Sequence, residues 1–183
     1  TVSRTGYLFE GWYEDSGFTK LFSKDGKDAV MPSHDITLYA KWKAHSFNLY
    51  FDANGGTVSE KSRLVLCDQP FGSLPTPTRT GFDFKGWFTS NGTQVTASTT
   101  MATATDITVY AKWAVKTYTA TWNTGTGYTI TVKRTSSPNG GAASGNLNSG
   151  DKVYYGDVLS VTYTANTGYT INTKGSTSIT VTR

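Results

Sequence analysis

Apolar and polar residues alternate along several short segments of the chain. In residues 107–113, Ile, Val, Ala and Trp occupy every second position, and Thr, Tyr and Lys fill the positions between them. The same period of two recurs in residues 36–42 and 47–51. This period places alternate side chains on opposite faces of a strand, so it predicts half-buried β-strands over all three segments. Helical spacing is hard to find, and we expect at most one helical turn, within residues 95–103.

Turn residues and β-branched residues extend this picture along the chain. The Asn54-Gly55 pair directly after segment 47–51 can adopt positive φ, which predicts a hairpin turn. Residues 75–81 contain two prolines, which have no N–H for a sheet ladder, so we expect an extended connection there. Further strands are predicted at 63–67, which includes Cys67, and at 128–133, 157–165 and 178–182.

The chain contains internal repeats. RTGYLFEGWYEDSG at 4–17 returns as RTGFDFKGWFTSNG at 79–92, and ITLYAKW at 36–42 returns as ITVYAKW at 107–113. The two pairs differ in spacing, so the segment between these landmarks varies in length and is a loop. Self-similarity over a fixed stretch of this length is typical of proteins built from tandem modules.

A third, divergent copy follows the second. YTATWNTGTG at 118–127 stands 71 positions after FNLYFDANGG at 47–56, but the later GW and YAKW landmarks are missing. A frame that begins at the TGY or TGF sequence and ends at PTPTR is an alternative that the spacing leaves open. In the simpler frame we expect the second half of a unit at 1–44, a complete unit at 45–114 and a divergent, truncated unit at 115–183.

Composition narrows the class of protein. Charged residues make up 16% of the chain and the net charge is +4, while 32 Thr and 17 Ser supply most of the polar surface. The largest basic cluster is the Lys133-Arg134 pair, so the sequence gives no support for nucleic-acid binding. No apolar run reaches the ~20 residues that span a bilayer, which argues against membrane insertion. A single cysteine, Cys67, excludes an intramolecular disulfide.

None of the candidate catalytic, metal or cofactor residues forms a convincing constellation. Asp52 and Asn54 resemble the start of a calcium loop, but they lack further carboxylates, so we expect a turn. His34 and His45 have no placed nucleophile or carboxylate beside them. Two further glycine patterns fail as fingerprints: Gly125 and Gly127 lack the third glycine of a dinucleotide site, and residues 141–145 are not a nucleophile elbow. We therefore predict no enzyme, no metal and no cofactor.

Tryptophans and repeated cations admit both structural and binding roles. Four tryptophans recur at matched positions and are predicted to be core residues: Trp12, Trp42, Trp87 and Trp113. Trp122 replaces Phe51 and should be more exposed. Repeated cations could form a basic stripe, but we favour pairing within each unit or stacking on a neighbouring aromatic ring; they are Arg4, Arg79, Lys41 and Lys112.

Three landmarks in order carry a resemblance to a known family: FNLYFDANGG at 47–56, LPTPTRTGFDFKGWF at 74–88 and TASTTMATATDITVYAKW at 96–113. Together they resemble the Listeria-Bacteroides repeat, or internalin B-repeat, of bacterial surface proteins. The resemblance covers 45–114 in full, 1–44 in half and 115–183 only as a divergent relative. It implies a mainly β fold of tandem, small β-grasp-like (ubiquitin-like) modules in secreted or cell-wall-anchored proteins.

Two functions are open from the sequence. The first is a stalk, in which neighbouring repeat units of the same chain contact one another and hold a distal domain away from the bacterial cell surface. The second is an adhesin module that binds a host protein or glycan. Binding residues are common in loops on a rigid scaffold, so the Ser/Gly-rich segment 136–150 is the first place to look for them. We nevertheless expect this segment to be a flexible excursion.

Overall fold

A computed structural model describes residues 2–27, 29–142, 144–171 and 176–182. Within these ranges the chain folds into short β-strands without a helix, and no described segment is a helix long and apolar enough to cross a bilayer. In chain order the strands are β1 (Tyr7–Tyr13), β2 (Leu21–Ser23), β3 (Tyr39–Ala44), β4 (Ser46–Asp52), β5 (Ser62–Leu66), β6 (Phe82–Phe88), β7 (Gln94–Val95), β8 (Ile107–Val115), β9 (Thr117–Thr119), β10 (Tyr128–Ser136), β11 (Gly145–Leu147), β12 (Lys152–Tyr154), β13 (Val158–Ala165) and β14 (Ser176–Thr180).

The second copy contributes a five-stranded mixed sheet in the order β5-β4-β8-β6-β7. Strand β4 pairs antiparallel with β5 and parallel with β8. Numbered within this copy, the order is 2-1-5-3-4, with the first and last strands parallel at the centre. This is the strand order of a β-grasp sheet, so the prediction of a mainly β, β-grasp-like module is confirmed. Between β5 and β6 the segment 75–81, with its two prolines, forms neither a helix nor a strand, as predicted.

Alternation along these strands has the predicted consequence for burial. Val109 and Ala111 of β8 are fully buried, whereas Tyr110 between them is exposed. On β4, Leu49 and Phe51 are buried and Tyr50 is exposed. The hydrophobic core of the sheet therefore lies on the face that the sequence pattern predicts.

The first copy forms a three-stranded sheet in the order β2-β1-β3, which matches β7-β6-β8 of the second copy. Strand β3 begins at Tyr39, three residues later than the segment predicted at 36–42. Strands β1 and β6 do not show a regular alternation of apolar and polar residues, because a glycine interrupts each strand. Gly11 has φ +136° beside a register shift in the β1–β3 pair, and Gly86 has φ +123°.

The third copy has its own arrangement. Strands β9 and β12 form a two-stranded antiparallel pair, and β11-β10-β13-β14 form a four-stranded sheet. Its core centres on Val132, Val153 and Leu159, with Trp122 and Val181 among the side chains that pack against them. The predicted strands at 128–133 and 157–165 are confirmed, and the one predicted at 178–182 lies at 176–180.

Residue contacts divide the chain into two compact units. The first comprises Thr1–Asn54, Val58–Pro77 and Gly86–Ala111, and the second comprises Gly55–Thr57, Thr78–Lys85 and Lys112–Arg183. Strands β6 and β8 each contribute residues to both units.

Candidate functional site

A glycine turn of the same conformation recurs in all three copies. We call these the TG turns; they span residues 4–7, 79–82 and 166–169. In each, the N–H of the aromatic residue donates to the carbonyl oxygen three residues earlier, in the pairs Tyr7–Arg4 at 3.0 Å, Phe82–Arg79 at 3.1 Å and Tyr169–Asn166 at 3.0 Å. The glycines have φ +81°, +80° and +86°, a left-handed conformation that favours glycine.

The first TG turn is in contact with residues of the second copy. The carbonyl oxygen of Gly6 accepts a hydrogen bond from the His45 N–H at 2.8 Å, and the His45 carbonyl accepts one from the Cys67 N–H at 2.8 Å. The approach is close enough that a Cβ added to Gly6 would lie 2.2 Å from Cys67 Sγ. We call this arrangement the first junction.

The second TG turn makes the same contacts with the third copy. The Lys116 N–H donates to the Gly81 carbonyl at 2.8 Å, and the Tyr155 N–H donates to the Lys116 carbonyl at 2.9 Å. A Cβ added to Gly81 would lie 2.0 Å from Cδ1 of Tyr155. This second junction therefore repeats the first, with Lys116 in the place of His45 and Tyr155 in the place of Cys67.

Arginine side chains lie over the aromatic residue of both junction turns. The Arg4 guanidinium lies 3.7 Å from the centroid of the Tyr7 ring, and the Arg79 guanidinium lies 3.9 Å from that of Phe82. Lys41 contacts both the Tyr13 ring and the Glu10 carboxylate of its own copy. These contacts confirm for Arg4, Arg79 and Lys41 the favoured prediction of internal partners.

The first junction also carries a polar contact at the surface. The Tyr7 hydroxyl donates to Asp68 Oδ2 at 2.8 Å, and an Arg4 guanidinium nitrogen lies 3.7 Å from the same oxygen. The hydrogen bond to Asp68, with a smaller contribution from desolvation, raises the pKa of Tyr7 above its usual value. The neutral phenol is therefore the form that links Tyr7 to the second copy.

The other candidate metal-binding and catalytic residues from the sequence do not take part in the junctions. Asn54 has φ +46°, its N–H donates to Asp52 Oδ1 at 2.8 Å, and its side-chain amide donates to the Ala111 carbonyl. This confirms the predicted turn, although the connection to β5 is longer than a two-residue hairpin. His34 lies in a bend. Among the described residues, no group of three His, Cys, Asp or Glu side chains could hold a metal ion.

Cys67 is buried, as predicted, but its placement in a strand was wrong. It is 3% exposed and lies in the turn directly after β5, because Asp68, the next residue, adopts φ +61° and ends the strand geometry.

The tryptophans divide into two groups. Trp87 is 2% exposed and its indole N–H donates to the Pro75 carbonyl, so it is a core residue as predicted. The prediction of a core position was only partly right for three others, which are half-buried at sheet surfaces: Trp12, Trp42 and Trp113. Trp122 is half-buried whereas Phe51 is 5% exposed, which confirms the predicted difference between them.

Segment 136–150 is not a simple loop, because it contains a short strand and makes hydrogen bonds to other parts of the third copy. Residues Gly145–Leu147 form β11, which pairs with β10. The Asn139 side-chain amide donates to the Tyr155 carbonyl at 2.7 Å. The expectation of a flexible excursion therefore needs correction, because polar side chains and a short strand attach this segment to its own copy.

A buried ion pair beneath this segment escaped the sequence reasoning. Asp157 is fully buried, and its Oδ2 accepts from Arg134 Nε at 2.9 Å and from the Tyr154 N–H at 2.9 Å. Arg134 is 8% exposed and also donates to the Lys152 carbonyl. The alternation of side chains along a strand could have predicted the burial of Arg134, because Arg134 follows the core residue Val132 by two positions and so faces the same side of β10.

An open groove on the third copy is lined by tyrosines. It has a volume of about 400 Å³, and its lining includes Tyr128, Tyr163 and Tyr169 but no charged side chain. The rings of Tyr128 and Tyr163 lie 6.2 Å apart. Tyr169 lies so close over the backbone that a Cβ on Gly127 would be 2.7 Å from its ring. We call this the tyrosine groove.

Comparison with known proteins identifies the class. The profile of the Listeria-Bacteroides repeat domain matches residues 1–41 and 47–112, which include the first two TG turns. The chain belongs to the Listeria-Bacteroides repeat family, and it is a repeat module of the kind that surface proteins of bacteria contain.

Individual relatives share the repeats over part of their length. A protein of Evansella cellulosilytica described as a Gly-rich membrane protein is 36% identical over 129 residues, covering 68% of this chain and 14% of the relative. Internalin H of Listeria monocytogenes is 34% identical over 116 residues, covering 61% of this chain and 20% of the relative. The chain thus spans a fifth or less of these two proteins. No solved structure matches.

Proposed function

We propose that this chain is a non-catalytic part of a bacterial cell-surface or secreted protein, in which the repeats act as a spacer. The observation that carries the proposal is the recurrence of one junction at two places, Gly6–His45–Cys67 and Gly81–Lys116–Tyr155. In tandem-repeat proteins each unit contacts chiefly its neighbours, so length increases by addition of units. The surface location rests on the family and on the internalin H relative.

The unit frame is part of the proposal. We propose half a unit at 1–44, a complete unit at 45–114 and a divergent unit at 115–183, each joined to the next through the backbone of one linker residue. His45 and Lys116 are those residues, and each uses both its N–H and its carbonyl oxygen. A linker whose hydrogen-bonding groups are both engaged has less freedom than a solvated one, which suits a spacer.

Small-angle X-ray scattering tests the spacer role. A single compact globule of 183 residues has a radius of gyration of about 16 Å, by the usual scaling of size with length. The spacer proposal predicts a clearly larger value and the scattering profile of an elongated particle. A value near that of the compact globule, unchanged by salt, would contradict it.

A second candidate function, glycan binding, is favoured by the tyrosine groove. Sugars present apolar C–H faces that stack on aromatic rings, and the tyrosine hydroxyls add hydrogen-bonding groups at the rim. The lining has no charged side chain, so a neutral sugar fits it better than an acidic one. In this reading the third copy is an adhesin module carried by the repeats before it.

Binding of the chain to an array of neutral and acidic glycans at physiological salt tests this candidate. Tyr163→Ala should weaken binding of a neutral glycan by about tenfold, the worth of one aromatic contact. Tyr50→Ala is the matched control, because Tyr50 is 41% exposed and Tyr163 is 47% exposed. If the chain binds none of the glycans, or if both variants lose the same amount of binding, the groove is not a glycan site. Capture of a host surface protein instead would point to the other adhesin reading.

A further inference from the structure

Strand β5 forms one edge of the five-stranded sheet of the second copy. The Lys61 carbonyl accepts a hydrogen bond from the Phe51 N–H of β4 at 2.8 Å. Because backbone groups alternate sides along a strand, Lys61 and every second residue after it face β4. The N–H and carbonyl groups of Ser62 and Leu64 therefore face away from the sheet, where β5 has no neighbouring strand in the part of the chain that the structure describes.

Other edge strands of this protein are protected against pairing with a further chain. Proteins usually protect such edges by shortening the strand or by placing lysine on it. The opposite edge of this sheet, β7, has only two residues. In the second copy Asn48 lies opposite Leu64. In the third copy Thr119, which the repeat aligns with Asn48, lies opposite Lys152. Strand β12 thus carries a lysine where β5 carries a leucine.

Strand β5 has neither of these protections. It is five residues long, and two leucines on its outer face are exposed to solvent, Leu64 at 67% and Leu66 at 46%. The one charged residue of the strand, Arg63, has its Nε 2.7 Å from Glu60 Oε1 and also donates to the Phe71 carbonyl. Strand β5 therefore presents both backbone groups and apolar side chains to solvent.

A groove at the first junction lies beside this edge. It has a volume of about 370 Å³ and is lined by Leu8, Lys43, Ala44, His45, Ser46 and Leu64. Leu8 of β1 is 54% exposed, so Leu8 and Leu64 give the groove apolar walls. Lys43 and His45 are exposed, and none of the described residues that line the groove is acidic. This leucine groove therefore combines apolar surface with positive charge.

The second junction shows that exposure at these positions is a property of the junction itself. Asp83 takes the place of Leu8 in the repeated sequence, and Lys152 takes the place of Leu64. Both are exposed, although all five strands of the preceding copy are present there. The two junctions share their backbone contacts and differ in the side chains around them, since only the first has leucines at both positions.

We propose that β5 and the leucine groove form a docking site for an extended, acidic segment of a partner protein with apolar residues at alternate positions. The segment adds to the sheet as a further strand, with its backbone paired to Ser62 and Leu64. One apolar side chain packs between Leu8 and Leu64, and a carboxylate pairs with Lys43. Charge complementarity favours this occupant over a second copy of the chain, because a symmetric dimer would bring two Lys43 side chains to one interface. The inference does not rest on the spacer role.

A labelled peptide of alternating valine and threonine, with two aspartates at each end, probes the site by fluorescence anisotropy on the full chain. Saturable binding is expected, together with slower amide hydrogen exchange at Ser62 and Leu64. Two control peptides should each bind about tenfold more weakly: one with prolines at its two central positions, and one with lysines in place of the aspartates. Equal binding of either control peptide, or unchanged exchange at Ser62 and Leu64, would overturn the proposal.

Charge reversal in the groove separates a specific site from general attraction to a basic chain. Lys43→Glu should weaken binding of the aspartate peptide by about tenfold and strengthen binding of the lysine peptide by a similar factor. Lys85→Glu makes the same charge change at an exposed position on β6 and should alter neither. Equal effects of the two variants would contradict the proposal.

A change at the exposed leucine tests the apolar part of the site. Leu64→Thr keeps a residue suited to a strand and should weaken binding of the aspartate peptide by about tenfold. Self-association of the chain that Leu64→Thr abolishes would replace the acidic partner with a second copy. None of these results changes the outcome of the scattering test of the spacer.

Discussion

Gly81→Ala is expected to lower the free energy of unfolding by about 2–5 kcal/mol. A non-glycine residue in the left-handed region costs about 1–2 kcal/mol, and the new methyl group would overlap the Tyr155 ring, which lies 2.0 Å from its position. Overpacking of this kind adds about 1–3 kcal/mol. Urea denaturation with amide hydrogen exchange as the readout would locate the loss at the second junction.

Gly168→Ala is the matched control for this prediction. Gly168 has φ +86°, close to the +80° of Gly81, but an added Cβ meets no described atom within 4 Å. It should therefore show the backbone cost alone, about 1–2 kcal/mol. Equal losses in the two variants would mean that the contact with Tyr155 adds nothing. Tyr155→Ala combined with Gly81→Ala should recover part of the loss, which a double-mutant cycle would measure.

Asp157→Asn should destabilise the third copy by about 3–5 kcal/mol. The carboxylate is fully buried against Arg134, and removal of its charge leaves the guanidinium buried without a counter-ion. The change keeps the size of the side chain, so the loss reports charge and hydrogen bonding more than packing. Hydrogen exchange of the β10 and β13 amides would show the effect, since both strands carry this core.

An exposed ion pair supplies the comparison for Asp157. Asp68→Asn alters the Arg4–Asp68 pair, whose side chains are 50% and 54% exposed, and should cost at most about 1 kcal/mol. Replacement of both partners, Arg134→Leu with Asp157→Leu, should be less harmful than Asp157→Asn, because no uncompensated charge remains. A small effect of Asp157→Asn would show that Arg134 finds water in the variant.

Strands with unbroken alternation were predictable from the sequence. Segment 107–113 became β8 with the expected buried face, whereas β1 and β6 were missed because Gly11 and Gly86 interrupt the period where the backbone takes positive φ. Strand β11 was missed because a short polar strand has no apolar pattern. The order of the strands in the sheet was not predicted, since alternation does not say which strands are neighbours; the family resemblance implied only a β-grasp-like module.

The junctions were less predictable than the strands. The repeated Arg-Thr-Gly-aromatic sequence was recognised as a repeat but not as a turn, and stacking of each arginine on a neighbouring aromatic ring was one of two internal roles left open. The partners Cys67 and Tyr155 share a position but no side-chain chemistry, and both junctions are built on backbone groups. Backbone donors and acceptors exist at every residue, so sequence alone does not identify the ones that pair.

The parallel pairing of β4 with β8 has a mechanical consequence. The chain enters the second copy at the start of β4 and leaves it at the end of β8, and these points lie at opposite ends of the paired strands. A pulling force along the polypeptide therefore loads the β4–β8 hydrogen bonds in shear, so they must break together and not one after another. A module of this topology resists tension applied through its two ends better than one whose hydrogen bonds are loaded one at a time.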